Sequence, residues 1–474
     1  MKKLIQSASL IGTTEIALVF VSIIRNKYLA VRIGPEGFGL YGVLNSFFIF
    51  ASVFTASWLA NATIKYIAEY QGNKESLQKL YNYTLSIASV SSIFLTLMFF
   101  VFQSIIKKYF LSSDVIFLYF ALFNATFVFK SVNIVFANVL QGLKLIKKIV
   151  RIRIINSAIE FISIIIFVYF FDLTGFFISI VFSTIFSTIV YWSEIRKVFT
   201  TKIVIPQFGN RILKKLLVFG GAAFILNLLS MLSNYILRVV VLRETDLATT
   251  GLLQVSLVLM GMLGVVNRGS HFYFFPNVSR KMHIKERNSE TNEYLRFTLL
   301  TSSFISVIAI LFVPTLILIL YSSKFLSLST VFYWFVIAGF LANLANAFHT
   351  NMMGLGFVKS FTGIGIFGWA ILVLTPIIAV GKYGISSVAM GYILSYLATI
   401  PVLYWYLYKI ALLRIHIKVI TCFLISIIMI GGAIYFMSST LLLKLVWCLT
   451  SLGLASVMIK KDEYQRLYDM FRKA

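Results

Sequence analysis

The chain has 474 residues, 59% of them hydrophobic and only 12% charged, with a mean hydropathy of +0.92. Apolar runs of 18 residues or more recur from end to end, which excludes a soluble globular domain. The formal net charge is +26, but the basic residues stand in short loops between apolar runs, so the anionic partner they imply is the cytoplasmic lipid surface and not nucleic acid.

Lys2 and Lys3 precede an apolar run that Glu15 and Arg25 interrupt. No small-residue cleavage site follows, so the run reads as a retained first helix and not as a signal peptide. Ile33-Gly34-Pro35-Glu36-Gly37-Phe38-Gly39-Leu40-Tyr41-Gly42 then predicts a tight turn, because Pro fixes φ and Gly permits φ > 0. Apolar runs and loop polarity give fourteen spans, near 8–31, 40–67, 80–105, 115–141, 150–171, 174–195, 215–241, 249–275, 295–320, 330–354, 361–380, 385–408, 418–437 and 440–459. With both termini in the cytoplasm, most of the 42 Lys and Arg fall on the cytoplasmic side. The densest basic segments are Lys144 to Arg153, Arg196 to Lys215, Arg280 to Arg296 and the tail from Lys460. Lys107 and Lys108 are the main exception, and their long side chains can snorkel to the interface. Cys422 and Cys448 lie in late apolar runs with no metal-type spacing, so neither a disulfide framework nor a zinc site is expected.

An internal repeat underlies this layout. At an offset of 213, Asn138…Tyr191-Trp192 matches Asn351…Tyr404-Trp405. At 214, Tyr83-Thr84-Leu85 matches Phe297-Thr298-Leu299. The expected architecture is an all-α polytopic membrane protein of two six-helix bundles in the same orientation. Its parts would be an N-terminal lobe at 1–195, a basic cytoplasmic linker at 196–215, a C-terminal lobe at 216–410, and two further helices with a basic tail at 411–474.

A charge at membrane depth costs about 3 kcal/mol or more, so polar residues inside the spans are the informative ones. Helical spacing puts several on common faces, which must turn toward other helices or a water-filled cavity. The cations are Arg25, Lys65, Lys130, Arg238 and Arg268, and a cationic lumen suits an anionic substrate such as a phosphate. Asn227, Asn234, Asn343 and Asn346 are candidates for a sugar path, although Asn and Ser also serve simply as glue between helices. Glu15 and Glu160 read either as partners neutralising these cations or as sites for a coupling ion, H+ or Na+; both readings stand. His271 and His349 read as hydrogen-bonding glue. No metal site, other cofactor or catalytic residue is expected. A Walker A loop and a G-x-S-x-G elbow are missing, and the outside loops are too short for a catalytic platform, so the chain reads as a transporter and not an enzyme.

Four motifs add a resemblance. Ile33 to Tyr41, Tyr66-Ile67-Ala68-Glu69-Tyr70, Gln141-Gly142-Leu143-Lys144 and Phe274-Phe275-Pro276-Asn277-Val278-Ser279 are similar, in order and spacing, to the Wzx-type polysaccharide flippases of the multidrug/oligosaccharidyl-lipid/polysaccharide (MOP) exporter superfamily. The resemblance implies two bundles around a V-shaped cavity that opens alternately to each side. The implied substrate is a polyprenyl-pyrophosphate-linked oligosaccharide repeat unit, moved to the outer leaflet of a bacterial inner membrane for O-antigen- or capsule-type polysaccharide, lipopolysaccharide included. Under it Arg25, Lys130, Arg238 and Arg268 would face the pyrophosphate or acidic sugars, the four asparagines would line the sugar path, and polymerase or other assembly proteins would be partners. The alternatives are a lipid II-type precursor flippase and a multidrug exporter, the latter disfavoured by a lumen in which bases outnumber acids.

Overall fold

A computed structural model describes residues 18–111, 116–205, 210–265, 267, 274 and 283–457, and among them the chain is helical, with no strand. The first helix, α1 (18–32), ends at Ile33, and α2 (Gly34–Ser52) begins at the next residue. Gly34 takes the left-handed step at φ 62°, and Pro35 enters the first turn of α2, where its missing N–H has no intrahelical partner to lose. The turn expected over 33–42 is therefore two residues long, and the rest of that motif is helix. Helix α2 and the segment ending in α3 (Ala60–Glu69) form a pair bent by 57°. Hydroxyls close the bend, Ser52 to Ser57 at 2.8 Å and Thr55 to Ser131 at 3.1 Å, as lipid requires of loosened backbone.

Asn73 caps α4 (Lys74–Val101) by accepting the Ser76 N–H at 3.0 Å. That cap and the break at Phe102 shift the span expected at 80–105, and a separate short helix, α5 (Gln103–Phe110), follows. Helices α6 (Phe117–Ala125) and α7 (Phe127–Gly142) occupy the next expected span. The fifty residues of α8 (Ile146–Ile195) reverse at Asp172, where φ is 45° and ψ −123°. Its arms run antiparallel, tied by Asn156 to Ser187 at 2.8 Å and Lys148 to Glu194 at 2.9 Å, and so supply the spans expected at 150–171 and 174–195. Helix α9 (Arg211–Glu244) follows.

Next come α10 (Leu247–Leu263), α11 (Ile284–Leu311), α12 (Val313–Leu320), α13 (Phe332–Gly354), α14 (Val358–Tyr383), α15 (Ser386–Ala411), α16 (Ile417–Phe436) and α17 (Leu441–Val457). The span expected at 295–320 is divided into α11 and α12, because Pro314 cannot donate within a helix and instead starts a new one. Among the described residues eight helical stretches, with α6 and α7 taken together and α8 counted once, are long and apolar enough to cross a membrane, and the bent α2–α3 pair adds a ninth if counted as one span. Packing groups the chain into two units, Met1–Val239 and Val240–Arg472.

The repeat is visible in the backbone of each unit taken alone. Lys144 at φ 58° and Gly356 at φ 79° are left-handed residues ending α7 and α13. Asp172 at φ 45° and Gly384 at φ 52° reverse the chain between the next two helices. In the first unit Gln78 grips the backbone of Thr200, donating to its carbonyl at 2.5 Å and accepting its N–H at 3.1 Å. In the second, Asn292 donates to the Arg414 carbonyl at 2.8 Å and accepts the His416 N–H at 2.7 Å. Arg196 lies over Trp192 at 4.9 Å, as Lys409 lies over Trp405 at 5.0 Å. The first part of the segment expected as a linker is thus held on α4: Phe199 stacks on Tyr81 at 4.7 Å, and Val204 donates to Ser86 at 2.8 Å.

Candidate functional site

Within the first unit the spans bring four of the sequence-selected ionisable residues to one place. Arg25 of α1 donates to the Glu160 carboxylate of α8 at 2.7 Å, with side chains 27% and 43% exposed. Lys130 of α7 sits 4.0 Å above the Phe123 ring and within the electrostatic reach of Glu160. Tyr41 of α2 is half-buried, within reach of Glu160, Arg25 and Arg238, its ring 5.3 Å from Phe176 and 6.3 Å from Phe123. Arg238 of α9 also donates one turn back to the Asn234 carbonyl at 2.7 Å.

Each placement has a local cause. The α6–α7 boundary falls at Thr126, and the Lys130 N–H bonds back to the Thr126 carbonyl at 2.9 Å, which starts α7 with Lys130 in its first turn. Gly39 and Gly42 flank Tyr41 on a buried stretch of α2 and allow close helix approach. The chemistry follows from the composition of the group. A carboxylate bonded to a guanidinium, with an ammonium at longer range, is exchangeable for another anion with bidentate oxygens. The aromatic floor under Lys130 adds a cation–π contact that needs no counter-charge.

Other expected residues stand elsewhere. Lys65 is exposed on α3, its ammonium 4.3 Å from Phe219 and 5.2 Å from Tyr66. Nearby, Lys215 bonds Glu69 at 2.8 Å and the Tyr70 hydroxyl at 3.0 Å. Asn227 is half-buried, and Asn234 is exposed and donates to the Ser230 carbonyl at 2.9 Å. In the second unit Asn343 is buried and reaches the Leu263 carbonyl at 3.5 Å, a packing contact, whereas Asn346 is exposed. His349 meets Phe361 edge-on at 5.0 Å. Glu15, Arg268 and His271 lie outside the described residues. Among the described residues no group of three or more His, Cys, Asp or Glu could hold a metal ion. Sequence reasoning assigned no role to Tyr41 or Phe123; the glycines around Tyr41 were the one signal for it.

Solved structures share this fold. The structure titled lipid II flippase MurJ, inward closed conformation, superposes with a TM-score of 0.74 at 16% identity, over 94% of this chain and 97% of that one. An inward-facing multidrug resistance MATE family transporter of the MOP superfamily gives 0.71 at 14% identity, over 89% and 96%. A MOP superfamily transporter from Pyrococcus furiosus gives 0.58 at 15% identity, over 90% and 95%. The class is therefore that of multi-pass membrane proteins with the MOP transporter fold. Residues 4–268, more than half of the chain, match the model of the family described as polysaccharide biosynthesis protein, and the chain belongs to that family. No curated protein matches it.

Proposed function

We propose that this protein is a non-enzymatic flippase that carries a polyprenyl-pyrophosphate-linked oligosaccharide repeat unit from the cytoplasmic to the outer leaflet of a bacterial inner membrane. The reading extends to alternating access, to O-antigen- or capsule-type polysaccharide as the end product, to cytoplasmic termini, and to repeat lobes at 1–195 and 216–410. The observation that carries it is the pairing of Arg25 with Glu160, with Lys130 in reach of that carboxylate and Arg238 in reach of the neighbouring Tyr41, inside a chain of the polysaccharide-biosynthesis family. The substrate's phosphates take the place of the Glu160 carboxylate on Arg25 and Lys130. Glu160, deprived of its partners in a low-dielectric setting, then takes up the coupling ion, H+ or Na+. Lys65 and Arg268 extend the cationic path, Asn227, Asn234, Asn343 and Asn346 border the sugar path, and Glu15 is a second ion site. Polymerase and other assembly proteins are the proposed partners. A lipid II-type precursor is the second reading, favoured by the likeness to a structure with that title across nearly the whole chain.

The test is the leaflet distribution of lipid-linked oligosaccharide in cells with the protein, without it, and with Arg25→Ala or Lys130→Ala. Accumulation on the cytoplasmic face in the deletion and in both variants supports the flippase and its site. Unchanged surface glycan in the deletion overturns the function, and full rescue by both variants overturns the site.

A further inference from the structure

The bend in the second span leaves a hollow beside it. Beside α2, which is bent from the segment after it by 57°, lies a cavity of about 180 Å3 lined by Phe47, Phe50, Ala51, Phe54, Leu95 and Phe99, with Ile106 of α5. All seven side chains are apolar, and the cavity lies within the first unit. In a membrane such a hollow is filled by hydrocarbon; what matters is whose.

The surroundings select the occupant. Phe48 stacks on Phe123 at 5.0 Å and meets Phe99 at 5.8 Å, so one layer of rings separates the cavity from the Phe123 face on which Lys130 rests. On the other flank Tyr235 of α9 stacks on Phe50 at 5.7 Å and meets Phe47 at 5.8 Å. Arg238, one helical turn on from Tyr235, lies within electrostatic reach of Tyr41. A site that is apolar at one end and cationic at the other, with aromatic rings between, is complementary to a single molecule with a hydrocarbon chain and a phosphate head.

We infer that this cavity holds the polyprenyl chain of the lipid-linked substrate, near its phosphate end, while the phosphate engages the Arg25–Lys130–Arg238 group. The inference rests on the proposed flippase function and adds a second recognition element to it. The chain anchors the amphiphile to the first unit through carbon alone, so recognition at this end is independent of the sugar composition.

The full chain in detergent is titrated with a long-chain polyprenyl monophosphate, and separately with phosphatidylglycerol, which carries one negative charge on straight acyl chains. Bound lipid is counted by native mass spectrometry. Leu95→Trp fills the cavity from a half-buried lining position, and Ala51→Phe fills it from α2. Each variant is expected to bind polyprenyl monophosphate about tenfold more weakly, the loss for roughly two buried CH2 groups turned out of the cavity, with phosphatidylglycerol unaffected. A variant that loses the wild-type melting transition is set aside and the other decides. Unchanged polyprenyl binding in a folded variant overturns the chain site, as does an equal loss for both lipids, which would mark a site for bilayer acyl chains. If that happens while the leaflet assay still shows flipping, the function stands without the site. If the wild-type protein neither flips nor prefers polyprenyl monophosphate, both fall.

Discussion

Glu160 bonds Arg25 and attracts Lys130 at longer range, and that makes its removal and the removal of Arg25 unequal. In Arg25→Met the carboxylate keeps Lys130 within reach, and the lost pair, 27% and 43% exposed, is screened by solvent; the expected cost is about 1 kcal/mol. In Glu160→Gln the carboxylate that bonds Arg25 and attracts Lys130 from farther off is gone. Breaking a fully buried pair by removing one partner costs about 3–5 kcal/mol, and partial exposure reduces this to roughly 2 kcal/mol here. The double substitution Lys130→Met/Glu160→Gln leaves one cation fewer to compensate, so it should recover about 1 kcal/mol relative to Glu160→Gln alone. Chemical unfolding in mixed micelles gives these free energies directly, and Lys130→Met, Glu160→Gln and their double complete a thermodynamic cycle. An Arg25→Met variant as destabilised as Glu160→Gln, or a double variant equal to the sum of its singles, would refute the shared-carboxylate arrangement.

Asp172 occupies a glycine-type conformation at φ 45°, and its ion pair to Arg32 is long at 3.9 Å and 72% exposed on the Asp side; Asp172→Gly should therefore stabilise by about 1 kcal/mol, seen as a raised Tm. At Gly142 an added Cβ would fall 2.7 Å from the Ile67 Cβ, so Gly142→Ala should destabilise by about 1–3 kcal/mol in the same melt, and a neutral result would show that α3 and α7 can separate freely. Gln78→Leu removes both bonds to Thr200; the Thr200 amide should exchange its hydrogen faster by at least tenfold, a change of about 1.4 kcal/mol, while the His416 amide held by Asn292 stays protected.

What could be read from the sequence, and what could not, follows from where the free energy lies. Arg25, Lys130, Glu160 and Arg238 stood out because an ionisable residue in a span is costly wherever it points, so their presence alone marked them. Their association could not be read. Arg25 and Glu160 are 135 positions apart, and helical periodicity fixes the face of one helix without naming the helix opposite. The same distinction divides the fold. Spans were legible from hydropathy, but their ends were displaced at Gly34, Phe102 and Pro314, where one residue's backbone preference outweighs the apolar run around it. The repeat was only partly legible for a related reason. Gly356 and Gly384 advertise left-handed turns, whereas Lys144 and Asp172 adopt the matching conformations without the matching residue. Gln78 and Asn292 likewise grip equivalent segments with side chains of different length. Duplication has preserved backbone geometry and hydrogen-bonding capacity here while side-chain identity has drifted, and a comparison of letters sees only the identity. The charged group about Glu160 lies in the first unit, and Asn343, a polar residue chosen for the path in the second, is engaged in packing against the Leu263 carbonyl. Among the described residues the two repeats thus share a scaffold but not the side chains carried on it at these positions.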